Sequence, residues 1–454
     1  ELLKKYADGS LSPVEVTKEV LATISRHNDT VNAFVMVDEE GALKAAKNSE
    51  ERWQRGQPEG RLDGIPTTVK DLVIAKNWPT LRGSNTTDAK GPWLEDAPAV
   101  ARLKEHNAVL LGKTTTPEFG WKGVTDCPLT GITRNPWNLE MTPGGSSGGA
   151  AVAAALGMGA LHIGTDGGGS IRMPCAFTGI PGLKATFARV PTYPLSLLGT
   201  VSHLGPMTRT VGDSALMLSV LAEPDIRDPY SLPWNAEDYS DGLEDGVKGL
   251  RIAYVPTIND CPVDPEIAKL VKEAVGKLAE LGAIIEQPQF DLPDGHNIFR
   301  IHWYAGASKI LRPLSPKQRA MVDPALVEVA TEGDHYSLAQ YQDAVGEREA
   351  YCVAYNKIFE NYDLIITPTL PLTAFKAGLE FPEGQGYQRW TDWTPFTYPF
   401  NLTGQPAGSV PCGFSSDGLP VAMQIVGPCR ADALVLKAMR AYETICPAKM
   451  PDWD

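Results

Sequence analysis

The chain has 454 residues, 43% of them hydrophobic and 21% charged, enough apolar material for one large domain or two to three ordinary ones. Its 41 basic residues against 55 acidic ones leave a net charge of -14, the wrong sign for a surface that neutralises nucleic-acid phosphates or coats an anionic membrane. Seven cysteines lie apart with no Cys-x-x-Cys pair or Cys/His cluster, which argues against a zinc site or a disulfide framework and for a reducing cytoplasm.

Near the start, Ser12, Pro13 and Glu15 occupy N-cap, first-turn and capping-box positions, and Val16, Val20 and Ile24 follow at helical spacing. GIPTTVKDL from Gly64 reads as a strand, and AVLLGK at 108–113 reads as another after the mixed-charge segment AVARLKEHN. Between Pro143 and Gly182, the clusters PGGSSGGA and TDGGGSIR flank an alanine-rich helix candidate and the short strand candidate ALHIGTD. The longest apolar run, AAVAAALGMGALHIG from Ala150, is too short and too rich in glycine to span a membrane. IRMPCAFTG reads as a further helix, and the polar, acidic residues 223–249 read as a long surface connection between two halves.

A βαβ unit follows: strand LRIAYV at 250–255, then a helix opened by Asp264 and Pro265 with Ile267, Leu270, Val271, Ala274 and Leu278 as its apolar positions, then strand AIIE after Gly282. Ser337 and Gln340 form a capping box for a helix to about Tyr362, which leads into the strand YDLIITPTLP. AGSVPCGF and PVAMQIVG read as strands, and a last amphipathic helix runs from Asp432. Helices alternating with strands in this way imply an α/β fold.

The chemistry centres on Gly167, Gly168 and Gly169, which directly precede Ser170 at the end of a strand. Consecutive glycines free the backbone to turn its N–H groups toward one point, a concavity suited to a negative oxygen, with an ordinary tight turn as the plainer reading. Ser170 would then stand beside its own oxyanion hole. Gly144, Ser146 and Gly148 match G-x-S-x-G, yet Pro143 and the polar PWNLEMT precede them where an α/β-hydrolase elbow needs a strand. No phosphate-binding glycine motif is present, and none of the seven histidines lies beside a nucleophile signature. A serine is also activated by a neutral lysine. Lys70 ends an apolar strand, and burial there would have to lower its pKa by about 3 from its ordinary value. Taken singly, Lys70 reads as a snorkelling side chain or a partner of Asp71, and Ser146 and Ser147 as helix caps.

GIPTTVK, PGGSSGGA and GTDGGGSIRMPCAFTGIPGLK, in this order and at these separations, resemble the amidase signature family. TRNPWN, LGPMTRTV, YDLIITPTLP, NLTGQPAGSVPCGF and GLPVAMQIVG extend the resemblance from about residue 10 to residue 440. It implies one domain over residues 1–454, a large twisted mixed β-sheet covered by helices on both faces, a signature core at about 60–215 and a helical cover at about 297–362. It also implies a Ser-cis-Ser-Lys triad, with Ser170 as nucleophile, Ser146 as the bridging serine in a cis peptide and Lys70 as base. The backbone N–H groups of Gly167, Gly168, Gly169 and Ser170 would hold the oxyanion, supported by Asp166, Arg172 and Ser147.

The implied activity is hydrolysis of the carbonyl C–N bond of a small-molecule amide, with esters and carbamates as related substrates and no metal or cofactor. The runner-up is the glutaminase subunit of a tRNA-dependent amidotransferase. A cytoplasmic monomer or homodimer without nucleic-acid or membrane partners is expected. Trp121, Tyr193, Trp303, Tyr304, Trp390 and Trp393 lie in segments that in relatives approach or cover the site. The chain departs from the family at Gly167, where a larger side chain is common, and at Leu72, where Asn often follows the Lys-Asp pair. Gly167 is expected to leave room for a bulkier acyl or carbamoyl group.

Overall fold

The computed structural model describes residues 1–453. Its strands are β1 (Phe34–Val37), β2 (Pro66–Lys70), β3 (Val109–Thr114), β4 (Asp126–Cys127), β5 (Gly131–Ile132), β6 (Leu161–Asp166), β7 (Gly182–Lys184), β8 (His203–Thr208), β9 (Arg251–Tyr254), β10 (Ile284–Glu286), β11 (Leu364–Pro368), β12 (Ala407–Phe414) and β13 (Pro420–Val426). All but the small β4–β5 hairpin join one 11-stranded sheet in the order β1-β3-β2-β6-β8-β7-β12-β13-β11-β9-β10. The sheet is mixed. β3, β2 and β6 run parallel at one side and β11, β9 and β10 at the other, with antiparallel pairing between.

Strand periodicity explains why both faces are covered. In β9, Ile252 and Tyr254 enter one core and Ala253 the other; in β13, Val421, Met423 and Ile425 alternate in the same way with Ala422 and Val426. Side chains two apart share a face, so strands apolar at every position demand a helical layer on each side. The helices Val211–Leu221, Pro265–Glu280 and Asp432–Ile445 supply one layer, and His296–Leu311, Pro324–Asp334 and Leu338–Ile358 pack into the other. A third cluster forms where the helices Pro13–Val31 and Glu39–Gln54 cover Val109 and Leu111 of β3.

Helix starts follow local side-chain chemistry. Ser12 and Glu15 close the expected capping box, Asp264 accepts from the Glu266 N–H, and Ser337 and Gln340 close a second box before Leu338–Ile358. The β9–helix–β10 unit is parallel, as its sequence implies. The acidic connection at 223–249 differs from a plain surface loop: it holds no helix or strand, but Tyr239, Leu243 and Val247 are buried in the main core. Its charged residues hide this in composition, because only every fourth residue there is an apolar anchor. None of the described helices is long and apolar enough to cross a membrane.

This topology places the chemistry. Because β2 and β6 are parallel neighbours, Lys70 and Asp166, the last residues of each, emerge at the same edge of the sheet. In α/β sheets that carboxyl edge is where ligands bind.

Candidate active site

Lys70 is fully buried, and its amine touches three hydroxyls: Ser146 Oγ at 2.7 Å, Ser147 Oγ at 2.8 Å and Thr165 Oγ1 at 2.8 Å. Burial drives its pKa well below the ordinary lysine value, and the opposing pull of the Asp166 charge does not restore it. Ser146 and Ser147 stand immediately before the helix Gly148–Ala155, and the Gly145–Ser146 peptide is cis. The loop is pressed tightly against the chain: a Cβ on Gly145 would lie 2.4 Å from the Val124 carbonyl oxygen. Ser147 also ties the two serine loops together, its N–H donating to the Ser170 carbonyl at 3.2 Å.

The glycine loop is held by a buried ion pair. Arg172 donates from Nε and Nη2 to the two oxygens of Asp166, each at 2.9 Å, and both side chains are fully buried. Burial pushes the Asp166 carboxyl up, but the charge and hydrogen bonds of Arg172 outweigh it and hold the group well below the usual carboxylate range. The remaining guanidinium donors go to the Thr397 carbonyl, Gln424 Oε1 and Asn401 Oδ1, so no buried donor in the fork is wasted. Asp166 in turn accepts from the Gly169 N–H at 2.7 Å and from the Ile171 N–H at 3.2 Å. The loop therefore bends at Gly169, whose φ of 129° suits glycine.

This arrangement corrects one expected donor. The Gly169 N–H is spent on Asp166, whereas among the described residues the N–H groups of Gly167, Gly168 and Ser170 have no partner. Ser170 and Ser146 open onto one cavity of about 390 Å³, and their hydroxyls do not hydrogen-bond each other. Its walls are largely apolar, with Leu72, Phe119, Leu195, Leu198, Trp303 and Ile310 among them. A serine hydroxyl open to the cavity, a buried amine against a second serine and free backbone donors together suit acyl transfer.

The sequence model of the amidase family matches residues 15–436. An acylamidase of Rhodococcus erythropolis is 35% identical, over 98% of this chain and 95% of its own length. The A subunit of the glutamyl-tRNA(Gln) amidotransferase of Myxococcus xanthus is 34% identical, over 98% and 96%. Among solved structures, a bacterial aryl acylamidase of the amidase signature enzymes aligns with a TM-score of 0.92 at 32% identity, covering 98% of this chain and 96% of that one. The chain belongs to the amidase signature family.

Within this amidase, the residues singled out from sequence converge: Lys70, Ser146, Ser147, Asp166, Arg172 and the loop from Gly167 to Ser170 form one connected site. The aromatic residues do not all converge. Tyr193 and Trp303 line the cavity, while Trp390 backs Gly168, Trp393 stacks on Phe177, Trp121 accepts from the Trp303 indole N–H through its carbonyl, and Tyr304 lies under Arg300. Sequence reading missed Thr165, the third hydroxyl on Lys70, and Thr397, Asn401 and Gln424, which brace the loop from more than 200 residues away. The segments already noted for their resemblance held the available signals: GTDGGGSIR contains Thr165, NLTGQPAGSV contains Asn401 and GLPVAMQIVG contains Gln424.

Gly167 does not open the cavity as expected. A Cβ there would meet the Trp303 ring at 2.8 Å, so the indole occupies the volume that a side chain would take. Gly167→Thr is expected to push Trp303 into the cavity and to lower kcat/KM for long acyl anilides more than for acetanilide, with Trp303→Ala in the double variant reversing the shift; an unchanged ratio would break this link. Arg172→Met strands a buried carboxylate and should cost about 3–5 kcal/mol of stability in urea unfolding.

Proposed function

We propose that this amidase hydrolyses small amides through an acyl-enzyme on Ser170, with Ser146 and Lys70 moving the proton and the chain acting as one unit over residues 1–454. The observation that carries this reading is the short contact between Ser146 and a lysine whose burial favours the neutral amine. In the first step Ser170 Oγ attacks the carbonyl carbon, its proton passes to Ser146, and the proton of Ser146 passes to Lys70. The N–H groups of Gly167, Gly168 and Ser170 hold the oxyanion. Collapse breaks the C–N bond, and the leaving nitrogen takes a proton back along the same path. Water then attacks the acyl-enzyme, using the same relay.

Esters and carbamates present the same carbonyl to Ser170 and are proposed as secondary substrates. The resemblance to an amidotransferase component supports a second reading, glutamine hydrolysis. The cavity favours the first. Free glutamine carries an ammonium beside its carboxylate, and among the described residues no acidic side chain lines these walls to receive it.

Ser170→Ala should fold normally and lose at least about a thousandfold in kcat. An activated acyl substrate should leave its acyl mass on the peptide containing Ser170, and an adduct elsewhere would refute the assignment. Because the base works as the neutral amine, kcat/KM should fall as pH drops through the depressed pKa of Lys70 and be level on its alkaline side. A profile that rose as the pH dropped through that pKa would exclude a neutral lysine base.

A further inference from the structure

Arg82 lines the same cavity as Ser146 and Ser170, and among the described residues its guanidinium has no hydrogen-bond or ion-pair partner. This sets it apart. Other half-buried arginines of the chain are engaged: Arg52 with Asp63, Arg134 with the Leu139 carbonyl, and Arg348 with the Leu402 carbonyl and Thr200. A guanidinium offers five donors and keeps its charge, so leaving it half-buried and unpaired is costly unless something else supplies the acceptor.

The Arg82 backbone is fixed from both sides. Its N–H donates to the Asp71 carbonyl at 3.1 Å, and its carbonyl accepts from the Phe119 N–H at 2.7 Å, with φ at 58°. Asp71, the acid whose charge reaches Arg82, is already occupied: its carboxylate accepts from the N–H groups of Leu81 at 3.1 Å and Gly83 at 3.4 Å and lies 3.9 Å from Lys113. It therefore braces the turn that carries Arg82 rather than neutralising its side chain. The other cavity walls supply no acid and are mostly apolar.

We propose that Arg82 is a specificity residue that selects amides bearing a carboxylate, paired through its guanidinium while the amide carbonyl lies at Ser170. This rests on the Ser170 reading above. The fork matches a carboxylate in two parallel hydrogen bonds, and the apolar walls would exclude the water that otherwise competes for it. The class it favours has a negative end and no ammonium, which separates it from free glutamine.

Two substrate pairs test this, one with the carboxylate on the acyl side and one with it on the amine side: the mono-anilide of glutaric acid against valeranilide, and 4-acetamidobenzoate against acetanilide. In at least one pair the wild-type chain should favour the anionic member in kcat/KM by about tenfold or more, mainly through KM. Arg82→Gln should erase most of that ratio and Arg82→Lys should restore part of it. No preference in either pair, or a preference that survives Arg82→Gln, overturns the proposal. Failure of the catalytic reading looks different: turnover of these anilides would persist in Ser170→Ala. If the wild type turns over none of them, calorimetric binding of the glutaric mono-anilide to Ser170→Ala decides, since equal affinity with and without Arg82→Gln overturns the role of Arg82. Circular dichroism checks the fold of each variant.

Discussion

The structure turns on one burial: an amine placed where water cannot reach it and surrounded by hydroxyls rather than carboxylates. A lysine in contact with an acid would stay charged; Lys70 meets Ser146, Ser147 and Thr165 instead. The hydrogen-bond inventory narrows which hydroxyl can exchange a proton with it. Ser147 Oγ donates to the Thr165 carbonyl at 3.1 Å and accepts from the Thr165 N–H at 3.2 Å, so its proton is committed and Lys70 must donate to it. A neutral amine keeps one lone pair, and the hydroxyls free to fill it are those of Ser146 and Thr165. Both border the cavity with Ser170, and of the two Ser146 sits on the loop that its neighbour Ser147 ties to the Ser170 carbonyl.

That burial is tolerable only because the nearby charges are balanced among themselves. Asp166 raises the pKa of Lys70, but Arg172 sits against the same carboxylate, so its negative charge is closely countered before it reaches the amine. Lys184, close to this pair, shows the other side of the balance: burial first, then the charge of Arg172, lowers it to about 7. The ion pair does not earn its place by stability alone, since a hydrophobic replacement of a buried pair is often no worse. What an apolar substitute would lack is aim. Asp166 takes the Gly169 and Ile171 N–H groups, and Thr397 Oγ1 donates to the Gly168 carbonyl at 2.7 Å, leaving the donors of Gly167, Gly168 and Ser170 unspent.

The parts of this arrangement that were legible in the sequence are those written locally. Capping boxes at Ser12 and Ser337, the short apolar strands and the glycine loop before Ser170 each declare themselves within a few residues. The family pattern then relates Lys70 to serines far along the chain, which periodicity alone cannot do. What stayed hidden depends on distant packing. Asn401 and Gln424 reach Arg172 across 229 and 252 residues, and no local pattern marks an Asn or Gln as a brace. Gly167 misled for the same reason: a missing side chain reads as space until the fold shows Trp303 there. Gly169 reads as one donor among equals until Asp166 is seen to take its N–H.

The groups that would react and the groups that would choose a substrate come from different stretches of chain. Lys70, Ser146 and the Gly167–Ser170 loop emerge at the carboxyl edge of β2 and β6 and are cross-braced by buried hydrogen bonds. Much of the cavity wall comes instead from the turn carrying Arg82, the segment from Pro191 to Leu198 and the helix His296–Leu311 that carries Trp303 and Ile310, joined by Phe119 and by Leu72, Val73 and Ile74 just after Lys70. The Trp303 indole N–H donates to the Trp121 carbonyl at 3.0 Å, so even that wall is positioned by a group outside the reacting set. Changes in these segments can alter the size or charge of the cavity while the amine keeps its three hydroxyls. The same constraint works in reverse, because a substitution that let water or a new acid reach Lys70 would restore its charge whatever the walls were shaped to hold.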